Sequence, residues 1–154
     1  METPERAELR ELIVDLVTNS SRFARLAASL AEDDRPKAVV RALSLIDEYD
    51  ELRIGDFAEL DRCSQPAATG LLKKLHAQGL IERRADPLDS RVTLVSISDE
   101  GRHWLDRSRT AIGDALAPRF AELEPEQITR ITDGLSELRR LLKTTANDER
   151  KKRS

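Results

Sequence analysis

The sequence predicts a mainly α-helical fold with one small β-hairpin. Three observations carry that prediction. Near both ends of the chain, apolar residues recur at steps of three and four, the mark of amphipathic helices. After Gly79 the period changes to two β-rich runs joined by a strong turn sequence. The six glycines and six prolines are few among 154 residues and cluster at particular places, so most of the chain can be regular structure. That length suits one domain with a real core.

The first helix is expected from Glu5 to Ala31, with Leu9, Leu12, Ile13, Leu16, Val17, Phe23, Leu26, Ala27 and Leu30 as its stripe. It is long for a domain of this size, which implies packing against more than its own chain. Glu32-Asp33-Asp34-Arg35-Pro36 stops it, and Pro36 opens a second helix that carries Val39, Val40, Leu43 and Ile46 and ends near Tyr49. A short extended piece at Ile54 leads into a short helix from Gly55 to Asp61. Ser64 reads as the N-cap of the next helix, with Pro66 in its first turn, and Gly79 as the C′ residue beyond Ala77. Leu80 to Arg84 and Arg91 to Ile97 are the strands, joined by Asp86-Pro87-Leu88-Asp89-Ser90. Ser98 caps a long helix reaching Phe120, with Asp99 and Glu100 at its positive end; Gly101 lies early enough in it to cost little. A last helix, Glu126 to Thr145, sets Ile128, Ile131, Leu135, Leu138, Leu141 and Leu142 at near-heptad spacing. The polar, basic tail from Asn147 to Ser154 is expected to be disordered.

Net charge is −3, but its distribution is uneven. Residues 1–51 hold seven basic and twelve acidic side chains, a net of −5. Residues 62–84 set Arg62, Lys73, Lys74, Arg83 and Arg84 against Glu82 alone, a net of +4. An anionic partner would therefore be met in the middle of the chain. No apolar run is long enough to span a membrane. The N-terminus has no signal pattern, and the single cysteine excludes a disulfide framework. The expectation is a soluble, cytoplasmic protein. Two isolated histidines and one cysteine make no metal-ligand set, and no phosphate loop or catalytic constellation is present, which argues against an enzyme or a cofactor.

The order short helix, tight turn, capped helix, strand, turn, strand is a winged helix-turn-helix, assigned to residues 36–97. On its second helix, Ala68, Leu71, Leu72 and Leu75 fall on one face. Pro66, Thr69, Gly70 and Lys73 fall on the other, with Gln65 at its edge. Gln65 and Thr69 can reach base edges, small residues admit a close approach, and Lys73 and Lys74 can meet phosphates. The candidate DNA-binding set is Ser64, Gln65, Pro66, Thr69, Gly70, Lys73, Lys74, Arg83, Arg84, Asp89, Ser90 and Arg91.

Two motifs here resemble those of the MarR family of regulators. One is Leu75-His76-Ala77-Gln78-Gly79-Leu80-Ile81, of the form Leu-x-x-x-Gly-Leu-Ile. The other is the wing Asp86-Pro87-Leu88-Asp89-Ser90-Arg91, followed by a strand and a helix start with Gly101. Ile97-Ser98 stands where that family usually has Leu-Thr, keeping the apolar and capping roles. Helix order matches over the whole chain, while the specific motifs lie between Ile54 and Gly101. The resemblance implies a homodimeric repressor of a pseudo-palindromic duplex, with residues 5–31 and 98–146 as dimerisation helices. It implies that Arg91 enters the minor groove with Asp89 holding its guanidinium. It also implies a small anionic aromatic effector, with Arg22, Phe23, Tyr49, His103 and Trp104 as pocket candidates. Cys63, one residue before the N-cap, is read as structural rather than as a redox sensor. The rival reading is a dimeric protein-interaction module that uses the winged fold as a scaffold. Exposed apolar side chains over residues 65–74 would favour it; the sequence has Gln, Thr, Gly and Lys there.

Overall fold

The computed structural model describes residues 3–31 and 33–153, with side chains as far as residue 144. The chain divides into two compact units, Met1–Leu116 and Ala117–Ser154. The first runs α1 (Pro4–Leu30), α2 (Lys37–Tyr49), β1 (Glu51–Arg53), α3 (Ile54–Leu60), α4 (Gln65–Ala77), β2 (Ile81–Ala85), β3 (Thr93–Ile97) and α5 (Asp99–Leu116). The second holds a 3-10 turn (Ala117–Phe120) and α6 (Pro125–Arg153).

The expected hairpin gains a third strand. The sheet is antiparallel in the order β1-β3-β2, with Leu52 and Arg83 both opposite Val95. Asp50, in the left-handed region at φ 60°, turns the chain out of α2 and lays Glu51–Arg53 on the free edge of β3. The extended piece expected at Ile54 thus lies just before it, and Ile54 opens α3. Beneath the sheet, Leu43 and Ile46 of α2, Phe57 of α3, Leu72 and Leu75 of α4 and Leu105 of α5 close around Ile81 and Val95.

Three other boundaries differ from expectation. β3 begins at Thr93 because Asp89 to Val92 are used by the turn, where the Val92 amide donates to the Asp89 carbonyl (2.9 Å). α5 ends at Leu116 rather than Phe120, since Pro118 lacks an N–H and its ring excludes a continuing α-helix. α6 runs on to Arg153, through the stretch expected to be disordered. Glu, Lys and Arg there are good helix formers, and cations suit a helix C-terminus. Of that stretch only Ser154 lies outside the described residues.

Each terminal helix carries exposed apolar residues. Ala27 is the one buried residue of α1, while Leu12, Val17 and Leu26 are well exposed, as are Ile131, Leu135, Leu138 and Leu141 of α6. Contiguous apolar surface on this scale marks an interaction face.

Gly101 has a role that its position did not suggest. A Cβ built on it would stand 2.0 Å from the Leu80 carbonyl oxygen. That oxygen accepts the Ser98 amide (3.1 Å). The Ser98 hydroxyl donates to the Gly79 carbonyl (2.6 Å) and accepts the Gly101 amide (3.0 Å). The first turn of α5 is thereby seated directly on the chain leaving α4, at a distance only glycine permits.

Candidate nucleic-acid interface

The turn between α3 and α4 is tight. Arg62 takes φ 53°, and the Cys63 amide donates to the Ala58 carbonyl (3.0 Å). Arg41 of α2 grips the turn by donating twice to the Asp61 carboxylate, 2.6 and 3.1 Å. That pairing, led by the hydrogen bond, holds the Asp61 carboxyl below the ordinary aspartate value. Ser64 is the N-cap of α4, accepting the Ala67 amide at 3.3 Å, so its hydroxyl is engaged by the helix itself. Ala68, Leu72 and Leu75 are buried, while Gln65, Pro66, Gly70, Lys73 and Lys74 are exposed and Thr69 is half-buried. The Gln65 amide lies back over Gly55, where it would meet an added Cβ at 3.0 Å. At the far end, the His76 ring nitrogen Nδ1 and the Ile81 carbonyl are 3.1 Å apart, tying α4 to β2. The apolar and polar faces therefore divide as the helical spacing predicts.

In the wing, the buried side chain is Asp86, 5% exposed. One carboxylate oxygen accepts from Arg53 of β1 (2.8 Å) and the other from the Leu88 amide (2.9 Å). At the tip, Arg91 Nε and Nη2 donate to the Asp89 carboxylate at 3.0 and 3.1 Å, and its amide adds a third bond of 3.1 Å. These bonds draw the Asp89 carboxyl down and the Arg91 guanidinium up from their ordinary pKa values. The Arg91 side chain is still 89% exposed, so it is oriented without being covered. Ser90 is exposed beside it. Arg83 and Arg84 differ from the other candidates. Arg84 donates twice to Glu51 (2.7 and 2.6 Å), straddling β3, so its charge is already paired within the sheet. Arg83 is half-buried, with its Nε shielded from water and unpaired.

A model of the MarR family matches residues 38–93, which run from α2 through the wing to the start of β3. Over residues 38–93 the chain is thus similar to the MarR family, and that stretch holds the winged helix-turn-helix. Among curated proteins, the chain is 29% identical over 97 residues to the uncharacterised HTH-type transcriptional regulator YdgJ of Bacillus subtilis, covering 63% of this chain and 59% of that one. The chain spans less than two thirds of the length of the curated relatives it matches. Solved structures extend the likeness of fold. The YusO protein of B. subtilis superposes with a TM-score of 0.56 at 17% identity, over 90% of this chain and 99% of that one. A mutant MarR from E. coli, complexed with operator DNA, gives 0.53 at 20% identity, over 85% and 95%. These neighbours share the mainly helical, winged architecture.

In this MarR-type frame the effector candidates do not converge. His103 lines an open depression of about 560 Å³ with Arg35, Asp106 and Arg107. Trp104 lines a different one, of about 320 Å³, with Val39, Lys74 and Leu80, and Arg35 stacks over its ring at 5.5 Å. Tyr49 packs on the core, and Arg22 and Phe23 lie on exposed α1. Among the described residues, no group of three His, Cys, Asp or Glu is placed to hold a metal ion, and no helix is long and apolar enough to cross a membrane.

Cys63 also has a resolved environment. Burial, then the neighbouring Asp61 carboxylate, pushes its thiol above the ordinary value, outweighing Arg41. A thiol with a raised pKa is a poor nucleophile near neutrality. Cys63 in the native protein is therefore expected to react with an aromatic disulfide reagent far more slowly than in the urea-unfolded chain. Equal rates at pH 7.5 would restore the redox reading.

Sequence reasoning missed Arg53, Glu51 and Arg41. Each acts through an oppositely charged side chain twenty or more positions away, and no local signal marks such pairs.

Proposed function

We propose that the chain is a cytoplasmic transcriptional regulator that binds a pseudo-palindromic DNA duplex as a homodimer and represses by occupying it. Recognition rather than catalysis is its activity. The observation that carries this is the outer face of α4 together with the wing tip. Gln65, Thr69, Lys73, Lys74 and Arg91 stand toward solvent on elements whose inner sides are locked into the core. Such a helix fits the major groove, and an exposed arginine on a protruding turn fits the adjacent minor groove. Lys73 and Lys74 supply phosphate contacts. A dimer supplies two such units for two half-sites, and the open stripes of α1 and α6 are the surfaces available to build it. The operator complex of the E. coli neighbour supports the same use of this fold.

The test is fluorescence anisotropy against the DNA upstream of the protein's own gene, with random duplex as competitor, at two salt concentrations. Competitor-resistant binding that weakens steeply with salt is expected. A random-sequence selection that enriches no motif would refute the reading. Once an operator is known, Gln65→Ala and Thr69→Ala are each expected to relax base preference at particular positions by about 1–3 kcal/mol. A uniform loss over all sequences would instead make them backbone contacts.

A further inference from the structure

Leu88 stands at the tip of the wing and is 90% exposed, the most exposed large apolar side chain among the described residues. Single exposed leucines are ordinary on protein surfaces. This one differs in how firmly it is held. Its amide donates to the buried Asp86 carboxylate (2.9 Å), whose other oxygen is fixed by Arg53 (2.8 Å). The Asp86 amide donates to the Val92 carbonyl (2.9 Å), and the Asp89 amide to the Asp86 carbonyl (3.2 Å), closing the turn beneath it. Pro87 restricts the residue before it. Leu88 enters these bonds through its backbone alone, so a polar residue at position 88 would keep the turn equally well. The apolar side chain itself has no part in holding the fold. It is projected on a rigid mount, three residues from an exposed Arg91 that is likewise oriented.

We propose that Leu88 is a minor-groove contact residue, packing its isobutyl group against the deoxyribose walls while Arg91 meets the electronegative floor. The proposal rests on the DNA-binding reading above. Sugar edges are the apolar part of a groove, and leucine is among the side chains that proteins lay into minor grooves. Rigid mounting lets the contact form without ordering a loop, which is the usual cost of a loop contact. The contact carries no charge and displaces no counterion. Its signature is therefore affinity lost at constant salt dependence, whereas the loss of a phosphate-neutralising cation also flattens the salt slope.

The experiment measures the Kd of wild type, Leu88→Ala, Leu88→Met and Arg91→Ala for one selected duplex by anisotropy at four salt concentrations. Thermal unfolding confirms that each variant folds. Leu88→Ala is expected to weaken binding about tenfold at every salt concentration with the wild-type slope, and Leu88→Met to retain most of the affinity. Leu88→Ala binding like wild type while Arg91→Ala is impaired overturns the contact and leaves the DNA reading standing. Absence of specific binding by the wild type overturns the DNA reading, and the Leu88 contact with it.

Discussion

Replacing Gly101 by alanine is expected to destabilise the protein by about 3 kcal/mol, lowering its Tm by roughly 10 °C. Two effects oppose each other. Alanine is the better helix former by about 1 kcal/mol, and at an unhindered helical site that gain would appear as stability. Here the added methyl would stand 2.0 Å from a backbone oxygen, that of Leu80, which no rotamer change can move. Relief requires α5 to lift from the chain after Gly79. That strains the Ser98 amide bond to Leu80 and the Ser98 hydroxyl bonds to Gly79 and Gly101. A lost cap costs about 1 kcal/mol, a lost hydrogen bond about as much, and overpacking against rigid neighbours about 1–3 kcal/mol. The clash therefore outweighs the propensity. Gly113, in the same helix with nothing within 4 Å of a built Cβ, is the control. Gly113→Ala should leave the Tm unchanged or raise it. A Gly101→Ala protein as stable as wild type would show that the Leu80 contact is not close in solution.

Which features were legible in the sequence follows from the range of the forces that made them. The α4 helix was readable because its cap, its first-turn proline and its apolar spacing all lie within thirteen or so consecutive positions, and the structure has all three. The wing turn was readable because Asp86-Pro87 and the Asp89–Arg91 pair act over two or three residues. β1 was not, since three residues are too few to show alternation, and it exists because β3 presents an edge formed some forty positions later. Gly101 was judged by helix propensity alone, whereas its identity is set by a carbonyl 21 residues upstream. The ion pairs of Arg53 with Asp86 and Arg84 with Glu51 each span 33 residues and depend on the register of the sheet. Charge counting sets Arg84 among the cations of residues 62–84, and a count cannot see a partner delivered by tertiary pairing.

Arg91→Ala is expected to weaken operator binding by one to two orders of magnitude per wing, the loss usual for one well-placed base or groove contact. The salt slope should fall by roughly one unit per wing if the guanidinium also neutralises backbone charge. Stability should hardly change. The Arg91–Asp89 pair lies on the surface, where such pairs contribute little to folding, and the turn keeps its other hydrogen bonds. Arg91→Lys separates charge from shape. Lysine keeps the positive charge and so restores most of the salt slope. It lacks the planar fork that donates to Asp89 through both Nε and Nη2, so its direction is no longer set. The lysine variant is therefore expected to recover affinity for random duplex but not the preference for sites with a narrow, A·T-rich minor groove. If Arg91→Lys discriminates as well as wild type, position 91 contributes a cation only, and the clamp by Asp89 has no part in recognition. If lysine fails while Asp89→Ala in the wild-type background loses discrimination too, orientation of the guanidinium is what the wing is built to supply.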